Sequence, residues 1–269
     1  MGLAIDTVLS SVANPGASGT NTSVTNSGDS FTVRTFQQGT QAFISMVSRT
    51  HSASGFARIV SPLMHDAVDG MTWYTSETPS IHFMPPMVGQ PIQPGDTLTV
   101  SVSGNTTSSA IVGYSNYYQN LSGASANLYQ WGDISGNIKS IKPTTVAVTA
   151  SGTVGTWKDT LITATENLLH ASSFYAVLGF LSDTAIGLVG VKGSATANFR
   201  VCGPGNTATT LTDYFFVDLA NYHGVPYIPV FNGEDRTSVY VSVADAAAST
   251  AANITLVLAE LSGSNWVRQ

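Results

Sequence analysis

Five histidines, His51, His65, His82, His170 and His223, are the side chains best suited to metal binding or to proton transfer near neutral pH. No two of them have the spacing of a zinc site, and His-Glu-x-x-His does not occur. His65-Asp66 followed by Asp69-Gly70 could be drawn as a cation loop, but it reads more simply as a polar turn between strands. Glu77, Glu166, Glu234 and Glu260 are the carboxylates a glycosidase pair would draw on, and each is isolated in the sequence. Gly28-Asp29-Ser30 has the order of a serine-nucleophile block. It lies in a Gly/Ser/Thr/Asn-rich stretch, and no Asp-x-x-His follows near the C-terminus to supply a base. There is no Gly-x-Ser-x-Gly elbow, phosphate loop or Gly-x-Gly-x-x-Gly. Tyr114, Tyr117, Tyr118, Tyr129 and Trp131 form an aromatic cluster that could stack on sugars or pack at a contact between domains or subunits. No residue is assigned a catalytic, cofactor-binding or metal-ligating role, and the sequence points away from an enzyme.

The elements that would carry these residues are strands. Alternation of apolar and polar residues, rich in β-branched types, marks Val239 to Val243 and Ile254 to Leu258. Phe31 to Thr35, Gln41 to Ser48, Phe56 to Val60, Met71 to Thr75, Ser80 to Met84, Thr97 to Ser103 and Ala110 to Tyr114 read as strands of the first half. Val146 to Val148, Trp157 to Thr165, Phe174 to Leu181, Gly187 to Val191, Ala197 to Val201 and Tyr214 to Leu219 belong to the second. Glu166 to Leu169 suggests one helical turn. Ile5, Val8, Leu9 and Val12 fall at i, i+3, i+4 and i+7, which predicts a short amphipathic helix over residues 1–13. Asn14 to Ser30 reads as a linker or an arm reaching a neighbouring subunit. Asn116 to Ser140 reads as the connection between halves.

Composition narrows the class. Of 269 residues only 10% are charged, against about 25% in ordinary soluble domains. Either much of the surface packs against other copies, or it is a Ser/Thr coat of an extracellular or thermophilic β-protein. The net charge of −6, with ten scattered basic residues, lacks the footprint of a nucleic-acid binder. The single Cys202 excludes an internal disulfide and reads as a small buried residue. No secretory signal or membrane span is expected, so synthesis in a reducing cytoplasm follows.

One pattern organises the chain. Gly89, Pro91 and Pro94 recur as Gly224, Pro226 and Pro229, each 135 positions on. Each copy leads through a Gly-acid turn, Gly95-Asp96 or Gly233-Glu234, into an alternating strand. Val47-Ser48-Arg49-Thr50 parallels Leu181-Ser182-Asp183-Thr184 at an offset of 134. A duplicated all-β chain of this size, poor in charge and rich in Ser, Thr and Ala, resembles the double jelly-roll major capsid proteins of tailless icosahedral phages and adenovirus-like viruses. The resemblance is one of organisation rather than of a diagnostic motif.

That resemblance implies two consecutive eight-stranded jelly-roll sandwiches behind a short N-terminal helix and arm. The boundaries would be 1–30 for helix and arm, 31–140 for the first jelly roll with its connection, and 141–269 for the second. It implies a homotrimeric, pseudo-hexameric capsomer tiling a virion shell, with the chain itself as main partner. Vertex proteins or an internal membrane would be touched through the Ile5–Val12 helix, and no cofactor or sequence-specific nucleic-acid contact is implied. Two other functions stay open: a receptor- or carbohydrate-binding β-sandwich of a fibre or appendage, and a hydrolase on a β-sandwich.

Overall fold

A computed structural model of the chain describes residues 2–13, 15, 22–23, 25–26, 31–51, 54–64, 70–75, 80–84, 89–103, 108–121, 125–205 and 212–266. The fold is all-β. In chain order the first strands are β1 (Gly2–Val12), β2 (Thr22–Ser23), β3 (Thr25–Asn26), β4 (Gln41–Thr50), β5 (Gly55–Val60), β6 (Met71–Thr75), β7 (Ser80–Phe83), β8 (Gln90–Ile92), β9 (Thr99–Val102) and β10 (Ala110–Leu121). A connection holds β11 (Leu128–Tyr129) and the short helix α1 (Trp131–Ile134). Then come β12 (Ile138–Thr149), β13 (Lys158–Leu161), β14 (Phe174–Ser182), β15 (Leu188–Lys192), β16 (Arg200–Pro204), α2 (Phe215–His223), β17 (Ile228–Asn232), β18 (Tyr240–Ala244) and β19 (Ala251–Leu261).

Four sheets result. In the first half, β3-β1-β10-β4-β7, with β8 also on β4, faces β2-β9-β5-β6; in the second, β11-β17-β14-β19-β12 faces β13-β18-β15-β16. Facing sheets share apolar cores. Val8, Ile44, Val47, Ile59, Val100 and Val112 fill the first, and Val146, Val177, Val191, Val201, Val241 and Leu256 belong to the second. Substituting β12 through β19 in turn for β1, β2, β4, β5, β6, the β7 and β8 pieces that share one edge of β4, β9 and β10 converts the first half's orders into the second's.

The repeated sequence features occupy matching places. Gly89 and Gly224 both adopt a left-handed backbone, with φ of 60° and 66°. Each precedes a strand that pairs with the third strand of its half, β8 with β4 and β17 with β14. A β-bulge also repeats. Ser115 and Asn116 of β10 face Met46 and Ile44, which leaves Ser45 as the extra residue of β4. Leu258 and Val257 face Val177 and Gly179, which leaves Leu178 as the extra residue of β14. The Ser45 bulge resets the alternation. Ala42 and Ile44 before it and Val47 after it all join the first core, while Phe43 and Met46 join the second.

Several expectations are corrected. Residues 2–12 are a strand, not a helix, and β1 lies between β10 and β3. The helical spacing arose because both faces of the strand are covered. Ile5 and Leu9 point one way and Val8 points the other, into separate clusters. The helix through which a membrane or vertex contact was expected is therefore not formed, and residues 2–12 pair in the first half's sheet. Of the expected arm, only residues 15, 22, 23, 25 and 26 are described, the last four in strands β2 and β3. Tyr214 to Leu219 is not a strand; α2 occupies Phe215–His223. Glu166 to Leu169 forms no helical turn, and the expected connection from Asn116 shrinks, since β10 runs to Leu121 and β12 begins at Ile138. Among the described residues no helix is long and apolar enough to cross a membrane.

Candidate functional site

The residues that could have done chemistry are not brought together. His51 is buried, with Nε2 3.3 Å from the Ser108 carbonyl. His82 lies in β7 opposite Val47, and exposed His170 sits in a turn. His65, Asp66, Asp69, Glu77 and Gly28-Asp29-Ser30 lie outside the described residues. Glu166 accepts the backbone N–H of Thr145 at 2.9 Å, and Glu234 sits in a surface turn. Among the described residues no group of three or more His, Cys, Asp or Glu could hold a metal ion. Cys202 is free and buried. The aromatic cluster does not present sugar-stacking faces: Tyr114, Tyr117 and Tyr118 are fully buried and Tyr129 nearly so.

Glu260 is a buried carboxylate held by a network of donors. Lys139 Nζ donates to its Oε1 at 3.0 Å, Ser173 Oγ to Oε1 at 2.8 Å and Ser140 Oγ to Oε2 at 3.0 Å, with Lys142 Nζ 3.9 Å away. The Lys139 bond, then the Ser173 bond, outweigh burial and hold the carboxyl at about 2. This folded value lies below the ordinary value of 4.5. The site therefore favours folding above that pH, and the advantage fades as pH falls toward 2. Glu260→Gln is expected to cost about 1–3 kcal/mol at neutral pH and to flatten the acid limb of stability. Urea denaturation across the acid range measures both.

A set of buried polar contacts crosses the seam between the halves. The seam is organised by α2, whose two ends are each tied to a bulged strand. At its start, Phe180 N donates to the Thr212 carbonyl at 2.9 Å, and Thr212 Oγ1 returns a bond to the Phe180 carbonyl at 2.6 Å. Both residues lie beside the Leu178 bulge. At its end, His223 Nε2 is 3.1 Å from the carbonyl of Ser45, the bulged residue of β4. A carbonyl only accepts, so Nε2 carries the proton and Nδ1 is a bare acceptor, buried without a partner among the described residues. Burial holds the imidazole below its usual pKa, against the Ser45 bond.

Tyr227 completes the seam. It is fully buried, its ring lies 5.9 Å from that of Tyr117 and 6.5 Å from that of His223, and burial pushes its hydroxyl up to about 12. Ser45 Oγ donates to the Ser115 carbonyl at 3.2 Å, so it accepts from the Tyr227 hydroxyl at 3.0 Å. Tyr117 OH donates to the Pro226 carbonyl at 2.8 Å, and Cys202 N donates to Thr7 Oγ1 at 3.1 Å. Gly113 of β10 has no side chain where Leu188 of β15 enters. Of this, the sequence reading offered only Tyr117, in an aromatic cluster read as packing at a contact between domains or subunits, and a buried Cys202; the partners of both were not assigned. The other advance signal was the repeated Gly-x-Pro-x-x-Pro, whose second copy contains Pro226 and Tyr227.

No protein-family model matches the chain, and no curated protein matches it. Two solved structures align over most of its length. The crystal structure of the PBSX exported protein XepA gives a TM-score of 0.20 at 11% identity, covering 92% of this chain and 88% of that one. The crystal structure of the STIV MCP gives 0.19 at 9% identity, covering 96% and 97%. Values this low carry no argument about fold or function.

Proposed function

We propose that this chain is a structural subunit of a virion shell, built as two jelly rolls and working by association with copies of itself. The observation that carries the reading is the repeated strand order. Numbering the eight repeated strands of each half in sequence, one sheet runs 1-8-3-6 and the other 2-7-4-5. A four-pair antiparallel ribbon wound into a sandwich would give this order, which supports the jelly-roll reading. Two such units share a continuous core, because Ile5, Phe43, Met46 and Tyr117 of the first half pack in one cluster with residues of the second.

The surface supports association. Leu63, Ile141, Leu168, Leu181, Tyr214 and Tyr222 are exposed apolar or aromatic side chains, on a chain with little charge. Large obligate interfaces of about 2,000 Å² or more would cover such a surface. Uncontrolled strand pairing is guarded against at β12, an edge strand. Pro143 has no N–H to offer, Glu166 takes the N–H of Thr145, and Thr165 Oγ1 takes that of Ala147 at 2.9 Å. Association would therefore proceed through side-chain faces. Light scattering after size exclusion, with electron microscopy, is expected to find a three-chain species and, at higher concentration, sheets or shells. A monomer at every concentration overturns the proposal.

A further inference from the structure

His223 is a fully buried titratable group set between the two halves. It is the last residue of α2, and Gly224 closes the helix behind it, giving its N–H to the Ala220 carbonyl at 2.9 Å. The imidazole Nε2–H reaches the carbonyl of Ser45 in the first half, 178 positions away. That carbonyl also accepts from Met84 N at 3.1 Å, so it keeps a donor if the imidazole leaves. Nδ1 has no partner among the described residues.

The groups around the imidazole are rings. Phe43 of β4 and Tyr227 ahead of β17 each lie 6.5 Å from it, and Tyr222 of α2 itself lies 5.1 Å away. Tyr117 of β10 stacks on Phe43 at 5.0 Å and lies 5.9 Å from Tyr227. The titratable groups here are therefore phenols, with the Cys202 thiol close enough to Tyr227 to help raise its pKa. The Tyr117 hydroxyl is given to the Pro226 carbonyl and that of Tyr227 to Ser45. A phenol carries no charge in the acid range, so none of them can act as a counter-ion. Arg49 of β4 is turned to the Ser103 carbonyl at 2.8 Å. Asp218 of α2 is exposed, five positions before His223 and about 140° round the helix from it.

Proton uptake would put a second N–H and a full charge among these rings. Burial opposes the charged form more strongly than the Ser45 bond favours it, which holds the imidazole below its ordinary 6.5. Above 6.5 neither the closed nor the opened form is charged, and the contact contributes in full. As pH falls below 6.5 the opened form takes the proton first, and stability is lost until the folded value is reached. The way out is short. Gly224 is exposed and Tyr222 is 42% exposed, so unwinding the last turn of α2 brings the ring to water.

We infer that His223 is an acid-sensitive latch between the halves: the neutral imidazole ties the end of α2 to β4, and proton uptake releases it while each half stays folded. The inference does not depend on the shell reading. The test is amide hydrogen exchange of the full chain from about pH 7.5 to about pH 5, corrected for intrinsic rates, in wild type and in His223→Gln. Glutamine keeps a donor for Ser45 and does not titrate. In wild type, exchange in the last turn of α2 and in β4 around Ser45 is expected to quicken by up to about tenfold per pH unit below 6.5, with β5 and β9 unchanged. In His223→Gln the same segments are expected to show no such slope, whatever their rate at neutral pH. Glu260 does not interfere, because its own window lies between about 2 and 4.5. No acceleration in wild type overturns the inference. An equal slope in His223→Gln overturns it too, by assigning the proton to another group. Equal acceleration in β5 and β9 also overturns it, since the chain would then be unfolding as a whole. If His223→Gln does not fold, NMR titration of the wild-type imidazole decides. A folded pKa at or above 6.5 overturns the inference, and one below it, together with the wild-type slope, supports it.

Discussion

Tyr227→Ala is expected to lower the unfolding free energy by about 3–5 kcal/mol, the cost of deleting a large aromatic side chain from a packed interior. The ring is fully buried, between the rings of Tyr117 and His223, where no flexible surface group can collapse into the space. Tyr227→Phe keeps that packing and removes only the hydroxyl given to Ser45, so about 1 kcal/mol is expected. The two substitutions separate ring packing from the polar contact, and urea denaturation with far-UV and near-UV detection measures both. If phenylalanine costs as much as alanine, the seam is held by its hydrogen bonds rather than by its rings. The two halves share one core cluster, so a single transition with unchanged denaturant sensitivity is expected for both variants. A second transition would mean that the halves unfold separately.

What was legible in the sequence follows from side-chain period. Val239 to Val243 and Ile254 to Leu258 each cover one core with one face, and their alternation placed them correctly in β18 and β19. The duplication was legible because Gly89 and Gly224 are fixed by left-handed backbone, which few other residues tolerate. The bulges were not, since nothing about Ser45 or Leu178 as residue types marks an extra position in a strand. β1 was misread because a strand buried on both faces need not alternate. The seam was invisible for a different reason. Ser45 and His223 are 178 positions apart, and only the packing of one half on the other brings them together.

Helix α2 shows the same limit and leads to the second large effect. Phe215, Val217 and Leu219 alternate, which predicted a strand; in fact Phe216, Ala220 and His223 are buried as well. A helix enclosed on most sides has no single apolar stripe, so helical period is lost to view. Its position depends on Gly179, just past the Leu178 bulge. A Cβ there would overlap the carbonyl oxygens of Thr212 and Asp213, both of them backbone atoms that cannot rotate away. Gly179→Val is therefore expected to push the start of α2 off β14, break the paired Phe180–Thr212 bonds and loosen the ring cluster of Phe180, Phe215 and Phe216. The expected loss is about 3 kcal/mol or more, at the upper end for overpacking because backbone must move. Since His223 at the far end of α2 bonds to Ser45, the damage should reach the first half. Hydrogen exchange should then show faster exchange in α2, and also in β4 around the Ser45 bulge, with β5 and β9 unchanged. Exchange confined to α2 and β14 would show that the helix does not couple the two halves.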